Sequence, residues 1–304
     1  MVDVDSDSPR IIDYEDTDYR SDFWEGKGRE YEDRVERIAI RRLIPSRGER
    51  LIEVGAGFGR LVPLYAGYRE VVLFDYARPG LEYARRHYGD EGFLYVAGNI
   101  YEMPFAPGVF STVVMVRVLH HMERASLALR SVRGITRHGA TFLLEFANKR
   151  NLKAIGRWLL HRQAWNPFDQ EPVEFARLHF NFHPHHIREL LSAAGFQPQR
   201  TLTVSHFRVA VLKRLVPPDL LVALDSVMQF TGGLWQLTPS VFVQSEATGD
   251  DTPAPEGAFW RCPKCRSLEI QETGDGLQCQ KCGTHYLRRN GVYDFRQDGE
   301  QALS

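Results

Sequence analysis

The sequence predicts an α/β fold: a Rossmann-like, doubly wound and mostly parallel sheet with helices on both faces. Strand-like apolar runs alternate with helix-like segments in the first half of the chain, which is the pattern of βαβ units. A turn with three glycines, "GAGFG", follows the first run, and such turns let a backbone or ligand approach closely. With 304 residues, of which 43% are apolar, the chain can bury a large core.

Seven runs are predicted as strands of one seven-stranded sheet. Helical spacing predicts a helix from Tyr31 to Ile44, ended by Pro45, and helical structure from Val209 to Phe230 with a break at Pro217. The segment "HPHHIRELLSAAGF" reads as a helix that ends at Gly195. The strands are Arg50 to Val54, Glu70 to Phe74, Phe93 to Val96, Thr112 to Val116, Ala140 to Phe146, Gln197 to Val204 and Ser240 to Ser245.

Composition divides the chain into an acidic tail, a main domain, a linker and a small C-terminal domain. We place the tail at residues 1–22, the main domain at 23–246 with an insertion at 148–183, the linker at 247–258 and the small domain at 259–298. No apolar run is long enough for a transmembrane segment, and the acidic start is unlike a signal peptide. We therefore expect a cytoplasmic protein.

The glycine-rich turn departs from the dinucleotide-binding pattern G-x-G-x-x-G, because its spacing is G-x-G-x-G and Arg60 follows Gly59. Together with Glu53, the turn resembles the first motif of the class I S-adenosylmethionine-dependent methyltransferases. Three further stretches resemble later motifs of that family in order: "VVLFDYA", "VAGNIYEMPF" and "VMVRVLHHM". The resemblance spans Glu49 to Gln244, and its middle motifs are most similar to the ubiquinone and menaquinone methyltransferases.

The resemblance implies S-adenosyl-L-methionine as the cofactor. It assigns both ribose hydroxyls to Asp75, the methionine end to Glu53 and the adenine amino group to Asn99, which stands where the family usually has aspartate. In the alternative without a ligand, the glycine-rich segment is only a tight turn, Asp75 is a solvated strand end and Glu53 is an interior carboxylate. The residues expected to bind the cofactor are Glu53, Gly55, Ala56, Gly57, Gly59, Asp75, Tyr76, Asn99, Ile100 and Arg117.

Two side chains are candidates for catalysis. His121, in the loop after the fourth strand, could take a proton from the acceptor, or it could simply pack with His120. Glu145, at the end of the fifth strand, is a second candidate base that could instead orient the acceptor.

The insertion begins with a basic amphipathic stretch, residues 148–162, which has five bases and no acid. We interpret it as a lid helix over the acceptor pocket, with contacts to a membrane surface or to RNA phosphates as alternatives. The histidines at 179, 183, 185 and 186 are not expected to form a metal site, because no carboxylate or cysteine accompanies them at ligand spacing.

All four cysteines lie near the C-terminus, as two C-x-x-C pairs separated by thirteen residues: Cys262, Cys265, Cys279 and Cys282. This spacing predicts one structural Zn²⁺ ion held by four thiolates in a zinc ribbon, with disulfides as the alternative. The module resembles the small zinc-binding activator proteins of tRNA, rRNA and release-factor methyltransferases. It lacks their usual Pro-Ile and Ile-Pro dipeptides. Because a linker precedes it, we expect loss of zinc to unfold the ribbon alone.

Three functions remain open from the sequence. The first is methyl transfer to a small or lipid-like acceptor. The second is methylation of tRNA, rRNA or a protein, with the ribbon docking the acceptor; the absence of an Asn-Pro-Pro-Tyr type motif after the fourth strand speaks against it. The third is a non-catalytic scaffold that retains the cofactor site. The acceptor, the atom methylated and the oligomeric state are left undetermined.

Overall fold

The computed structural model describes residues 29–249 and 254–296. The predicted acidic tail at 1–22 lies outside the described residues. The helices are α1 (Glu30–Leu43), α2 (Arg78–Tyr88), α3 (Ala125–Ile135), α4 (Leu152–Leu159), α5 (Pro184–Ala193), α6 (Ala210–Leu215) and α7 (Pro218–Met228). Short 3₁₀ helices lie at Val62–Leu64, Ile100–Glu102, Leu119–His121 and Gln229–Gly233.

The first nine strands in chain order are β1 (Gly48–Val54), β2 (Tyr68–Asp75), β3 (Phe93–Ala97), β4 (Phe110–Met115), β5 (Thr136–Ala147), β6 (Val173–Ala176), β7 (His179–Asn181), β8 (Phe196–Val204) and β9 (Ser240–Ala247). The C-terminal segment adds β10 (Ile270–Glu272), β11 (Gly276–Cys279), β12 (His285–Arg289) and β13 (Val292–Asp294).

One mixed sheet carries eleven of these strands, in the order β10-β11-β12-β13-β3-β2-β1-β4-β5-β9-β8. Strands β3, β2, β1, β4 and β5 are parallel, and β9 and β8 complete the sheet in antiparallel pairing. All seven predicted strands are therefore present. The sheet has four strands more than predicted, because β13 pairs in parallel with the free edge of β3 and joins the ribbon to the sheet.

Helices cover both faces of the sheet, as predicted. Successive side chains of a strand point to opposite faces, so Ile52 packs with the core that includes α3 and α5, whereas Leu51 packs with the core that includes α1, α2 and α7. The helix prediction around "HPHHIREL" is confirmed: His183 caps α5, Pro184 is its first residue, and the helix ends before Gly195 at φ +87°. The break predicted at Pro217 separates α6 from α7.

The insertion at 148–183 holds α4 and the two-stranded hairpin of β6 and β7. Its two ends are tied together where it leaves the sheet: Phe182 N donates to Ala147 O (2.8 Å) and Lys149 N donates to Phe182 O (3.0 Å). None of the helices among the described residues has the length and apolarity needed to cross a bilayer.

The C-terminal ribbon packs directly on the main domain. The Trp260 ring stacks on Phe105, with centroids 5.6 Å apart, and Phe259 contacts both Phe105 and Phe110. Cys262 and Cys279 belong to the same buried core as these aromatic rings. The ribbon thus shares a sheet and a core with the main domain, so the expectation that it would unfold alone needs revision.

Candidate cofactor site and metal centre

The glycine-rich loop connects the carboxyl end of β1 to the short 3₁₀ helix at Val62–Leu64, which precedes β2. Gly55 has φ +76°, and a Cβ there would lie 2.0 Å from a methyl carbon of Val118. Gly59 has φ +77°, where a Cβ would meet the Tyr88 ring at 2.9 Å. Side chains at these two positions would be strained and would clash, so the loop conformation requires glycine. Ala56, between them, is buried, and its N–H and that of Gly55 both donate to Phe74 O.

Asp75 ends β2, directly beside the glycine-rich loop. Its Oδ2 accepts a hydrogen bond from Gly57 N (2.7 Å), and its Oδ1 accepts from Ala77 N (2.9 Å). A carboxylate can accept about four hydrogen bonds, so the same group can hold the loop and accept from ligand hydroxyls. The structure therefore brings together the two motifs that the sequence assigned to one nucleoside site, at the carboxyl edge where open α/β sheets bind ligands.

Glu53, in β1, is a buried carboxyl with an unsatisfied atom. Its Oε2 makes no hydrogen bond of good geometry among the described residues, although the hydroxyl of its buried neighbour Tyr65 is close enough to act on the pKa of this carboxyl. Burial raises the pKa of Glu53 from 4.5 to about 8, with Arg60 opposing the shift. A buried carboxyl with one oxygen left unsatisfied suits a ligand that brings a cationic donor, such as an ammonium group.

A buried ion network fastens α1 over this end of the sheet. Glu36 pairs with Arg117 and, at 3.0 Å, with Arg60, which also pairs with Asp33. Burial opposes ionisation of Glu36, but Arg117 and Arg60 outweigh it and lower the pKa of this carboxyl. Arg117 itself has φ +61°. Asp33 and Glu36 were not predicted from the sequence, although their i, i+3 spacing on one face of a predicted helix was an available signal.

The predicted adenine segment follows β3. Asn99 caps the short helix at 100–102, since its Oδ1 accepts from Tyr101 N at 2.9 Å, and Ile100 is buried. Tyr76, after β2, lies against the end of the ribbon: Arg296 Nη1 donates to its carbonyl oxygen at 3.3 Å. The positions predicted to surround the adenosine therefore lie side by side, where the neighbouring strands β2 and β3 end.

Three imidazoles meet at the insertion. The ring of His121 lies 3.9 Å from that of His120 and 4.8 Å from that of His179, which the sequence analysis had not connected with it. The Nδ1 of His121 lies 3.3 Å from Leu178 O, a contact that requires a proton on Nδ1 and leaves Nε2 with its lone pair. Burial lowers the pKa of His121 to about 4 and lowers that of His120 well below its ordinary value, so both rings are neutral near pH 7.

Glu145, at the end of β5, is buried and both of its oxygens are engaged. Ser240 Oγ donates to Oε1 (2.6 Å), and the backbone N–H of Arg117 donates to Oε2 (2.9 Å). Burial raises the pKa of this carboxyl, with the Arg117 charge opposing. These contacts fix the loop that precedes His121.

The four cysteines converge as the spacing predicts. Their Sγ atoms all lie within 4.8 Å of one another, with Cys262 to Cys282 at 3.7 Å and Cys265 to Cys279 at 3.5 Å. Tetrahedral Zn²⁺ with Zn–S bonds of about 2.3 Å requires S–S separations of about 3.8 Å. The donor set and its dimensions fit zinc, and all four cysteines are free of disulfides. Within the described residues this is the one group of three or more such ligands close enough to hold a metal ion.

Comparisons with known proteins bear on the same segment. Residues 52–144 match the family model described as a methyltransferase domain. The fold is that of the S-adenosylmethionine-dependent methyltransferases. No curated protein matches the chain in sequence.

Solved structures agree at the level of the fold. A chain from the complex between a Haloferax volcanii methyltransferase activator and a methyltransferase aligns at a TM-score of 0.51 and 14% identity, over 76% of this chain and 96% of that one. An S-adenosylmethionine-dependent methyltransferase of Thermotoga maritima aligns at 0.52 and 15%, over 77% and 97%. The [4+2]-cyclase SpnF aligns at 0.50 and 16%, over 75% and 87%. At these identities the likeness concerns the fold.

Proposed function

We propose that this protein binds S-adenosyl-L-methionine and transfers its methyl group to a small or lipid-like acceptor. One observation carries the proposal: within the matched segment, the buried carboxyl of Glu53 with its unsatisfied Oε2, the glycine-rich loop and Asp75 converge at the carboxyl ends of β1 and β2. When bound, the cofactor supplies an activated methyl group on its sulfonium.

The residues of the chain bind and orient. Asp75 accepts from the ribose hydroxyls, Glu53 accepts from the cationic methionine end, and the loop from Gly55 to Gly59 leaves room for the ligand. Asn99 and Ile100 hold the adenine. Arg117 positions the site indirectly, because its guanidinium fixes α1 through Glu36 and its N–H binds Glu145. Alignment of the acceptor in such a site supplies most of what methyl transfer needs.

On the acceptor side, His121 takes a proton from the acceptor at Nε2. Its tautomer and orientation are supported by the contact of Nδ1 with Leu178 O. The engaged oxygens of Glu145 favour a positioning role for this carboxyl over proton transfer.

The position of the ribbon favours a small or lipid-like acceptor over docking of RNA or protein by the ribbon. The ribbon joins the sheet at β3, whereas the insertion over His121 follows β5, four strand positions or about 19 Å away. Its end contacts the loops predicted to surround the adenosine: Phe295 N donates to Ala97 O at 2.8 Å. We infer that the zinc ribbon supports cofactor binding.

The test separates cofactor binding from transfer. Calorimetry with S-adenosylmethionine measures the first, and incubation of the protein with radiolabelled cofactor and separated lipid, metabolite, RNA and protein fractions measures the second. Label in the lipid or metabolite fraction supports the proposal. Binding without transfer to any fraction contradicts it in favour of a non-methylating role, as a cyclase with this fold illustrates.

A further inference from the structure

The exposed apolar side chains of this protein are confined to one part of the chain. In the described residues, sixteen large apolar side chains are markedly exposed, and all sixteen lie between positions 152 and 235. Leu234 is 80% exposed, Leu215 76% and Val227 73%. Scattered single exposures are normal on soluble proteins, but a concentration of this kind marks an interaction surface.

These side chains form stripes on regular elements. On α7, Leu220, Leu224 and Val227 are exposed at i, i+4 and i+7, while the opposite face is buried through Leu221 and Asp225. The outer face of α7 is thus apolar although nothing among the described residues covers it.

Helix α4 repeats the arrangement. Leu152 and Leu159, at i and i+7, are exposed, and Ala154 on the opposite side is buried. The lid interpretation predicted these leucines over the acceptor pocket, and the structure turns them outward. The helix begins beside the loop that follows α7, because Leu152 N donates to Leu237 O at 2.9 Å. The stripes of α4 and α7 are therefore joined through that loop, which carries Leu234 and Trp235.

Basic side chains accompany the apolar ones. Lys153, Arg157, Arg162 and Arg214 are exposed and hold no ion pair among the described residues. No acid occurs from 148 to 168 or from 205 to 218. Exposed leucines beside bases, together with an exposed tryptophan, are the composition of elements that lie in the interface of an anionic membrane.

We propose that this surface, formed by α4, α6, α7 and the loop at 234–235, docks the protein on an anionic phospholipid bilayer. Charge decides between a bilayer and a second copy of the chain. A two-fold dimer would place this net positive surface against itself, whereas anionic headgroups complement its charge. The docked insertion carries the β6–β7 hairpin, whose Leu178 contacts His121, so an acceptor dissolved in the bilayer would enter beside the candidate base. The docking goes beyond the transfer reaction, and its test requires no methyl transfer.

The test is sedimentation of the full chain with vesicles of phosphatidylcholine alone and with vesicles that also contain phosphatidylglycerol. Each base near an anionic surface strengthens binding by about fivefold, so we expect binding at least about tenfold tighter to the anionic vesicles, weakened by salt. Lys153→Glu with Arg157→Glu should reduce it by about tenfold or more. Arg86→Glu with Arg137→Glu, an equal charge change at exposed positions outside the surface, should leave most of it intact.

A second variant tests the apolar part. Leu215→Ser with Leu234→Ser removes two of the most exposed side chains, so the fold should persist by circular dichroism while vesicle binding falls. Absence of binding to anionic vesicles, equal binding to both vesicle types, or full binding by either surface variant overturns the proposal. So does a dimer, seen by sedimentation equilibrium, that Leu215→Ser with Leu234→Ser dissociates. Asp75→Ala should bind vesicles normally, which separates this result from a failure of the cofactor site.

Discussion

Arg296, at the end of the ribbon, donates a hydrogen bond to the carbonyl oxygen of Tyr76, and its guanidinium carbon lies 5.8 Å from the centre of the Tyr76 ring. Tyr76 follows Asp75, so the contact joins the ribbon to the loop that we propose holds the ribose. Asp294 orients the guanidinium through bonds of 2.9 and 2.8 Å. The cysteine-rich ribbon and the loop after Asp75, which looked independent in the sequence, are thus neighbours in the fold.

The first prediction concerns this contact. Arg296→Ala removes a charged hydrogen bond behind the ribose loop, and such bonds contribute about 1.5–3 kcal/mol. Because the effect on the ligand is indirect, we expect affinity for S-adenosylmethionine to fall by roughly tenfold. Calorimetry measures it, and Lys281→Ala, an exposed charge elsewhere on the ribbon, is the control. Unchanged affinity would leave the ribbon with a purely structural role.

The second prediction concerns Asp75. Replacement by alanine removes an acceptor for two hydroxyls and two bonds that hold the loop, so cofactor binding should weaken by several kcal/mol, at about 1.5–3 per hydrogen bond. The cofactor affinity of Asp75→Asn, which keeps one acceptor oxygen, should lie between those of the wild type and Asp75→Ala. Asp90→Ala, which removes an exposed acid paired with Arg85, is the control for charge. Equal affinity of wild type and Asp75→Ala would refute the assignment.

Periodicity was sufficient to predict the seven strands and the helices on both faces, because these depend on local patterns along the chain. The resemblance to the methyltransferase motifs predicted that the glycine-rich turn and Asp75 would meet, as Gly57 and Asp75 do. Neither could show that β13 would pair with β3, since this pairing joins backbone groups of two segments that lie far apart in the sequence. Likewise, the contacts of Glu36 with Arg117 and of His121 with His179 join residues far apart in sequence, and only the folded chain brings them together.

The third prediction follows from the raised pKa of Glu53. A carboxyl whose pKa is about 8 in the folded protein and 4.5 ordinarily binds its proton more tightly when folded. The stability contributed by the protonated Glu53 carboxyl is therefore complete below about pH 4.5 and is lost as the pH rises to about 8. The free energy of unfolding falls over this range by on the order of a few kcal/mol. Glu53→Gln cannot ionise, so its free energy of unfolding relative to wild type should rise over this range. Denaturant titrations at pH 5 and above measure it; parallel curves for the two proteins would contradict the shift.

The fourth prediction concerns His121 as the base. Both His121→Ala and His121→Asn should lower turnover by about a hundredfold and leave cofactor affinity near wild type. The asparagine can still donate to Leu178 O but cannot accept a proton, so it separates catalysis from packing. Since the pKa of His121 is about 4, wild-type turnover should not decline with its protonation until the pH approaches that value. His138→Ala, exposed at the start of β5, is the control. Full activity of His121→Asn would return the ring to a packing role.

The fifth prediction concerns the metal centre. Purified protein should contain one zinc per chain, and Cys279→Ser should lose it, because a structural zinc contributes on the order of 10 kcal/mol to a module of this size. Cys279 lies in the core that also holds Phe105, and β13 continues the sheet from β3. The loss should therefore reach the main domain, seen as a lower midpoint of thermal unfolding and weaker cofactor binding, and treatment of the wild type with a chelator should reproduce both. Gln278→Ala, at an exposed neighbouring position, should change neither. If Cys279→Ser loses its zinc while the main domain keeps its stability and affinity, the ribbon folds and functions apart from the cofactor site.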